Sequence, residues 1–397
     1  MTAAVLRPSS AHVLPRTPKA FYRTALMVFF LVMGIIFASW AIRIPDVKAA
    51  LHLSDAELGG LLFGAPLGQL AAIVPSAWLI GRIRSRRTVI LGMLLMPAAL
   101  VSLSLASGHV SLFVCLLFFG FADNMLNIAL NSQAVGVETL YGRSIMATFH
   151  GMWSLGGVIG GVVGAILAPL GIPPFHHFCL IAALAVGVLA SLRSWTLPRE
   201  VRVGRKVEQA RRPVRFDVYL AALGVIAFGS MATEGAMYDW SSVYFAQVVQ
   251  PEERLVRVGY VACMSAMVLG RLMADGLINR HGVAPVLQLS GACISGGMAL
   301  SLIWPDLACA TAGFALVGFG MASIVPICYS LAGKSSRVPP QVAISLVSSI
   351  SFFGFLACPP VVGFLSHLAG LRWALSPLVA VGLLIALAAP LLHRLRP

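Results

Sequence analysis

The sequence predicts an all-α polytopic membrane protein with twelve transmembrane helices in two pseudo-symmetric six-helix halves. Its 397 residues are 59% hydrophobic and 11% charged, whereas soluble domains carry about 25% charged residues. Apolar stretches of about 20 residues, long enough to cross a bilayer, recur along the chain. These features exclude a soluble globule, a disordered chain and a coiled coil. Segments of about 10 alternating residues, the pattern of an outer-membrane barrel, are not found.

The apolar stretches divide the chain into five parts. A polar N-terminal tail, residues 1–23, precedes the first half, residues 24–192. The spans of this half are predicted at 24–42, 57–80, 88–107, 111–135, 144–168 and 175–192. A basic linker, residues 193–216, leads to the second half, residues 217–392, and a short tail, residues 393–397, ends the chain. The later spans are predicted at 217–238, 256–278, 284–303, 307–332, 341–365 and 372–392.

The basic residues support this number of spans. If the N-terminus is cytoplasmic, 23 of the 28 lysines and arginines fall on the cytoplasmic side, as the positive-inside rule requires. One missed helix would invert every later loop and destroy the asymmetry. The net charge of +14 therefore reports orientation, with both termini cytoplasmic, and we expect a lipid bilayer rather than a nucleic acid as the partner.

The two halves repeat a charged turn after their second span. Gly81 opens the first turn, and the second follows Gly270, about half the chain length later. Parallel six-helix repeats build transporters whose site lies between the halves. We predict that the charged residues of both turns form an inner gate: Arg82, Arg86, Arg87, Arg271, Asp275 and Arg280.

Two carboxylates lie well inside predicted spans, Asp123 in the first half and Glu234 in the second. A carboxylate at membrane depth is costly, and its default interpretation is functional. Because removal from water favours the neutral form, such a group can carry a proton. The alternative is a polar contact between packed helices. Function is favoured for Asp123, which shares its helix with several amides, whereas both interpretations stay open for Glu234, placed near the outer end of its span.

Other polar and aromatic residues complete the predicted site. His150 can titrate near neutrality and is a third proton candidate, although an interhelical hydrogen bond is the favoured interpretation. Arg43 and Asp239 lie 196 residues apart, at equivalent ends of the first and seventh spans. They could form an outer gate, or Arg43 could extend to water as an anchor. The substrate-cavity candidates are Asn127, Asn131, Gln133, Trp153 and Tyr329.

Four stretches resemble the bacterial MosC/YbjJ-like branch of the major facilitator superfamily. They are 40–45 (W-A-I-R-I-P), 131–135 (N-S-Q-A-V), 149–157 (F-H-G-M-W-S-L-G-G) and 234–240 (E-G-A-M-Y-D-W). The resemblance implies secondary transport by alternating access in a bacterial inner membrane. The chain departs from the family pattern at two positions where an acid is usual, Gly81 and Asn127. Asp123 lies one helical turn before Asn127, on the same face. It could take over the role of that acid, or the role could be lost.

We therefore expect a proton-coupled carrier for a small polar solute, by resemblance a sugar, an inositol derivative or an amine. The alternatives are an exporter of drugs or metabolites and, in a different class, a transport-inactive membrane sensor. No enzyme motif such as H-E-x-x-H or G-x-S-x-G occurs. The seven cysteines lie in apolar segments without a C-x-x-C pair, which argues against a metal or disulfide site. We expect a monomer without a cofactor.

Overall fold

The computed structural model describes residues 18–142, 145–198, 217–335 and 338–392, and in these ranges it contains helices and no strand. The helices before residue 199 are α1 (Lys19–Ala41), α2 (Ile44–Ala50), α3 (Asp55–Leu62), α4 (Gly64–Leu103), α5 (His109–Tyr141), α6 (Met146–Leu167) and α7 (Pro174–Leu192). Those after residue 216 are α8 (Val218–Tyr244), α9 (Val258–His281), α10 (Val283–Ile303), α11 (Leu307–Met321), α12 (Ile324–Ala332), α13 (Pro340–Ala369), α14 (Leu371–Ala374) and α15 (Pro377–Ala388).

The long helix α4 contains a reversal of the chain at Arg84, whose φ of 74° and ψ of 156° are not helical. Before Arg84, α4 runs parallel to α5, since Gly68 contacts Leu117 and Gln69 contacts Asn124. After Arg84 it runs antiparallel. Ser85 bonds Gln133 near the end of α5, and Ser102 bonds Cys115 near its start. The described ranges contain eleven apolar segments long enough to cross a membrane. They make twelve crossings, because the segment Asp55–Leu103 crosses twice.

Several predicted boundaries differ in detail. The first helix begins at Lys19, inside the predicted polar tail, and the predicted break over 81–87 is confined to Arg84. The tenth span is divided into α11 and α12 at residues 322–323. Most of the predicted tail and linker, residues 1–17 and 199–216, and the whole C-terminal tail, residues 393–397, lie outside the described residues.

Glycines let equivalent helices of the two halves pack in the same way. A Cβ atom at Gly156 of α6 would lie 2.0 Å from the backbone oxygen of Leu31 in α1, and one at Gly354 of α13 would lie 2.2 Å from that of Phe228 in α8. These are the first and fifth crossings of each half. Such close backbone approach is typical of membrane helix packing. The repeat expected from the sequence is thus present in the packing.

The halves meet at one end of the bundle and diverge toward the other. We call these the Asp46 end and the Arg84 end. At the Asp46 end α3 packs against α13 so closely that a Cβ atom at Gly59 would lie 2.8 Å from the Cα of Gly363. Four hydrogen bonds join the halves among the described residues, and all lie at mid-depth or toward the Asp46 end. A cavity therefore remains between the halves on the Arg84 side.

Candidate functional site

A cavity of about 680 Å³ lies between the two halves at mid-depth. Helices α1, α4, α5 and α6 form one wall, and α8 and α13 form the other. The polar lining residues are Gln69, Asp123, Asn124, Asn127, His150, Glu234, Tyr238, Ser345, Ser348 and Ser349. The apolar ones are Phe30, Met33, Phe37, Leu70, Ile73, Ile128, Trp153, Met231, Phe352, Phe353 and Phe355. The first half supplies both amide and carboxylate groups, whereas α13 supplies phenyl rings and hydroxyls.

Asp123 lies on α5, and its residue is 6% exposed. Its Oδ2 accepts one hydrogen bond, 2.9 Å long, from Nε2 of Gln69 on α4. Its Oδ1 is buried and accepts no hydrogen bond from the described residues. No lysine or arginine pairs with this carboxyl group in the described part of the chain. This carboxyl group therefore has one neutral donor and no cationic partner among the described residues.

The amides next to Asp123 form a row along α5. Asn124 donates to the backbone oxygen of Gln69 at 2.6 Å, which fixes α4 against α5. Asn131 donates to both the backbone oxygen and Oδ1 of Asn127, at 2.9 and 2.7 Å. Asn127 faces the cavity, whereas Asn131 is not among its lining residues. The structure thus places Asn127 at the site, and Asn131 one turn away, where it orients the Asn127 amide.

Glu234 faces the cavity from α8 and belongs to a polar cluster. Its Oε1 accepts a hydrogen bond from the Tyr238 hydroxyl at 3.2 Å and lies 3.5 Å from Nη2 of Arg271 on α9. Arg271 also donates through Nη1 to Oγ of Ser154 on α6, across the two halves. The predicted position of Glu234 near the outer end of its span is therefore wrong, since α8 continues for ten residues beyond it.

Arg271 is likewise displaced from its predicted place. It was assigned to the charged turn at the inner gate, but it lies ten residues before the end of α9 at His281, about 15 Å along the helix. There its side chain is 31% exposed and points to Glu234 and Ser154. The spacing of the second charged turn did not reveal that its first arginine pairs with Glu234, a residue of the cavity wall.

Three aromatic rings pack at the side of the cavity toward the Asp46 end. The ring of Tyr238 is 5.2 Å from that of Phe37 and 6.3 Å from that of Trp153, both in edge-on geometry. Phe37 and Trp153 belong to the first half and Tyr238 to the second. These rings therefore close the cavity by contact between the halves.

The other predicted site residues divide into two groups. His150 lines the cavity, and its ring lies 5.5 Å from that of Phe30. Gln133 does not line it. Its amide bonds Oγ of Ser85 and both backbone groups of Leu197, so it ties the reversal in α4 and the segment after α7 to α5. Tyr329 shares a hydrogen bond with Ser351 at 3.0 Å and is also absent from the cavity lining.

The predicted pair of Arg43 and Asp239 is not formed. Arg43 lies between α1 and α2, whereas Asp239 lies inside α8, five residues before its end. Because α8 extends further than α1, the two positions are not equivalent. Arg43 instead donates to Asp46 at 3.0 Å, to Nδ1 of His177 at 3.2 Å and to the backbone oxygen of Ile172.

Asp46 joins the halves at its end of the bundle. Its Oδ1 lies 2.5 Å from Nη2 of Arg257, which stands at the start of α9, and its Oδ2 binds Arg43. Both arginine side chains are less than 5% exposed. One carboxylate thus bridges two buried guanidinium groups, one from each half.

A second junction at the same end has Asp55 at its centre. Asp55 pairs with Lys48 at 2.8 Å and accepts hydrogen bonds from Gln247 and Ser366 of the second half. The Asp46 and Asp55 junctions together close this end of the cavity.

The remaining charged-turn residues lie at the Arg84 end. Arg82, Arg87, Asp275 and Arg280 are exposed and Arg86 is half-buried. Among the described residues, no ion pair joins the halves at this end. Their role as an inner gate stays a prediction.

Several residues of the site were missed by sequence reasoning. Gln69 offered the signal of a polar side chain in an apolar span. His177, assigned to no role, is fully buried and bonded to Arg43. The sequence does not distinguish three further residues from ordinary loop charges: Asp46, Asp55 and Arg257. Only the packing of the halves brings them into contact with their partners. Among the described residues, no cluster of histidine, cysteine, aspartate and glutamate offers a metal site.

Comparison with known sequences places this geometry in a family. The model of the Major Facilitator Superfamily matches residues 24–342. The membrane protein MosC of Rhizobium meliloti is 33% identical over 380 residues, covering 94% of this chain and 90% of MosC. An uncharacterized MFS-type transporter of Yersinia pestis is 31% identical over 363 residues, covering 91% and 93% of the two chains.

Solved structures agree at the level of the fold. An inward-facing, unoccupied bacterial homologue of the human lysosomal transporter Spinster superposes with a TM-score of 0.73 at 13% identity, covering 96% of this chain and 99% of the other. The nucleoside transporter NupG superposes with a TM-score of 0.71 at 11% identity, covering 94% and 99%. With twelve crossings, two equivalent halves, a cavity between them and these relatives, the chain belongs to the major facilitator superfamily of membrane transporters.

Proposed function

We propose that this protein is a secondary active transporter that moves a small polar solute, coupled to protons, by alternating access. It resides in a bacterial inner membrane with both termini in the cytoplasm. The Arg84 end is then cytoplasmic, because Arg82, Arg84, Arg86 and Arg87 all lie there and cytoplasmic loops are enriched in basic residues.

The observation that carries the proposal is Asp123. It faces a cavity between two halves whose described residues are bonded at the Asp46 end and at mid-depth but not at the Arg84 end. It has no cationic partner among the described residues. Such a carboxyl group can bind a proton from the aqueous side to which the cavity is open, and it keeps the proton while the cavity is closed to water, because an unpaired charge is unfavourable there. The asparagine row beside it provides neutral donors and acceptors for solute hydroxyl or amine groups.

The proposed transport cycle alternates between closure at the Asp46 end and closure at the Arg84 end. With the Asp46 and Asp55 junctions formed, the cavity is open toward the cytoplasm, and a proton can leave Asp123. When these junctions break and the charged turns of the Arg84 end approach, the cavity opens to the other side and Asp123 is reloaded. The proton thus moves down its gradient only when the solute cavity changes sides with it.

Asp123→Asn in proteoliposomes tests the coupling. A trapped pH dye reports proton entry on addition of each solute of a panel containing inositol, glucose, uridine and a small amine. The wild type should acidify the lumen with one of these solutes. The variant should lose this signal while counterflow of the same labelled solute persists, because an amide resembles the protonated acid but releases no proton.

Asp306→Asn is the matched carboxyl control, since Asp306 is exposed and caps α11. It should leave the proton signal intact. Normal proton flux in Asp123→Asn would remove Asp123 from the mechanism, and a wild type that moves no solute would favour a transport-inactive sensor.

A second candidate function, export of amphipathic compounds, is favoured by the wall that α13 forms. Phe352, Phe353 and Phe355 face the cavity. Phe353 is 58% exposed, and Ile73, in the opposite wall of the cavity, is 48% exposed. An apolar cation could lie against these rings with its charge toward Asp123. Quenching of tryptophan fluorescence by tetraphenylphosphonium, abolished in Asp123→Asn, would support export, and its absence would leave the polar solute.

A further inference from the structure

The two cavity carboxylates have opposite electrostatic surroundings. Glu234 accepts a hydrogen bond from Tyr238 and lies 3.5 Å from the Arg271 guanidinium. Among the described residues, Asp123 accepts a hydrogen bond only from the neutral amide of Gln69. Both carboxylates are largely removed from water, at 8% and 6% residue exposure. The presence of a cation is therefore the main difference between them.

The cation determines which carboxylate can exchange a proton. An opposite charge within about 4–6 Å favours the ionised form of an acid, whereas burial without one favours the neutral form. The Arg271 guanidinium should thus keep Glu234 as a carboxylate, whereas Asp123 should alternate between its protonated and ionised forms. Sequence reasoning treated both as proton candidates, because it could not locate Arg271 beside one of them.

We propose that Arg271 is a positioning residue that keeps Glu234 ionised throughout the cycle, so that Asp123 is the one of the two cavity carboxylates that exchanges a proton. The proposal rests on the proposed proton-coupled function. It goes further by assigning Arg271 a role and by distinguishing the two carboxylates of the cavity.

The position of Arg271 allows it to hold Glu234 in both conformations. Arg271 and Glu234 belong to the same half, on α9 and α8, so rocking of the halves does not separate them. Only the bond from Arg271 to Ser154 crosses between the halves, and this bond lies at mid-depth, where rocking moves atoms least. Loss of the Ser154 bond would therefore leave the Glu234 pair intact.

The other ionisable groups near Glu234 do not replace Arg271. Tyr238 and Asp239 are on its own helix, and Cys263 approaches from α9. His150 approaches from α6, on the side of Arg271. Of these groups, Arg271 alone carries a permanent positive charge. Its removal should convert Glu234 into a second proton-exchanging carboxyl group.

Infrared difference spectra of the purified full-length protein in lipid vesicles test this without a substrate. The carbonyl stretch of protonated carboxylic acids is recorded while the pH is stepped between acidic and alkaline values. Because exposed carboxyl groups and Asp239 also absorb in this region, the spectrum of each variant is subtracted from that of the wild type. Subtraction of Asp123→Asn should leave a titrating band, and subtraction of Glu234→Gln should leave none. Arg271→Gln should gain a second band, which disappears again in the Arg271→Gln, Glu234→Gln double variant.

Two further variants separate the electrostatic role from a structural one. Arg271→Lys retains the charge and should show the wild-type spectrum. Arg254→Gln removes an arginine that is 70% exposed and distant in the chain, and it too should leave the spectrum unchanged. A purely structural arginine would instead give equal spectra in Arg271→Gln and in the wild type.

The comparison of wild type with Glu234→Gln keeps the test decisive even if Arg271 variants do not fold. Loss of any part of the titrating band in Glu234→Gln would overturn the inference, because Glu234 would then exchange a proton beside Arg271. That result leaves proton-coupled transport standing. Failure of the proposed function appears elsewhere, as solute flux without proton movement in the wild type.

Discussion

Removal of the charge on Asp46 should open the end of the bundle that it closes. Asp46→Asn keeps the size of the side chain but leaves Arg43 and Arg257 without their shared carboxylate. Both guanidinium groups are buried, and they would repel each other across the boundary between the halves. The conformation open at the Asp46 end exposes them to water and relieves this cost.

The size of the effect follows from the exposure of the three side chains. Breaking a fully buried ion pair costs about 3–5 kcal/mol, whereas an exposed pair contributes about 0.2–1 kcal/mol. The two arginines are 3% and 4% exposed and Asp46 is 28% exposed, so the junction lies between these limits. If loss of the Asp46 charge destabilises the closed form by about 2 kcal/mol, the equilibrium should shift about 30-fold toward the form that is open at the Asp46 end.

Double electron–electron resonance spectroscopy, which measures the distance between two spin labels, can report this shift. Ala50 on α2 and Glu253, just before α9, are exposed on opposite halves at this end. Cysteines at these positions, in a chain whose seven native cysteines are replaced by alanine, would carry the labels. The wild type should show mainly the short distance, and Asp46→Asn should show a large population at a longer one.

A matched control uses the exposed pair of Arg254 and Glu252 at the same end, whose side chains are 70% and 66% exposed. Arg254→Gln should leave the distance distribution unchanged. If Asp46→Asn also left it unchanged, the Asp46 junction would be a passive contact, and the reasoning from buried charge would be refuted.

Two further predictions concern packing and are measured as thermal unfolding in detergent. Gly156→Ala should destabilise the protein by about 1–3 kcal/mol, since its Cβ would lie 2.0 Å from the Leu31 oxygen. Gly157→Ala, with no atom of another segment within 4 Å of its Cβ, should not, and equal unfolding temperatures would contradict the packing argument. Gln133→Ala should lower the free energy of unfolding by about 1–3 kcal/mol, because it removes the acceptor of the Leu197 N–H, and it should leave solute binding unchanged. Lost solute binding at unchanged stability would indicate instead that Gln133 contacts the solute.

The sequence alone was sufficient for the class of fold. Hydrophobic span length and the placement of basic residues both act locally, through the cost of burying charge in lipid, so they can be counted along the chain. The crossing number and the repeat followed from them. The position and length of the break at Arg84 were not predicted correctly, because one residue in a non-helical conformation leaves no compositional gap between two helices.

The site was only partly predictable. Asp123 was identified because a lone carboxylate in an apolar span is costly wherever its helix packs, and it does face the cavity. The same argument could not distinguish Glu234 from Asp123, since the distinguishing cation is Arg271, 37 residues further along the chain. Gln133 looked equivalent to Asn127 by spacing, yet it bonds the segment after α7 instead.

Tertiary structure alone decided the pairings between the halves. One of the two interpretations of Arg43 paired it with Asp239 by pseudo-symmetry, but α8 continues past the position where α1 ends, so the symmetry fails at that end. Asp46 pairs with Arg257, 211 residues away, and no local pattern encodes such a contact. Membrane insertion energy is a property of each segment and can be read from the sequence. The partner of each charge depends on how two rigid halves pack, and that is determined only when both have folded.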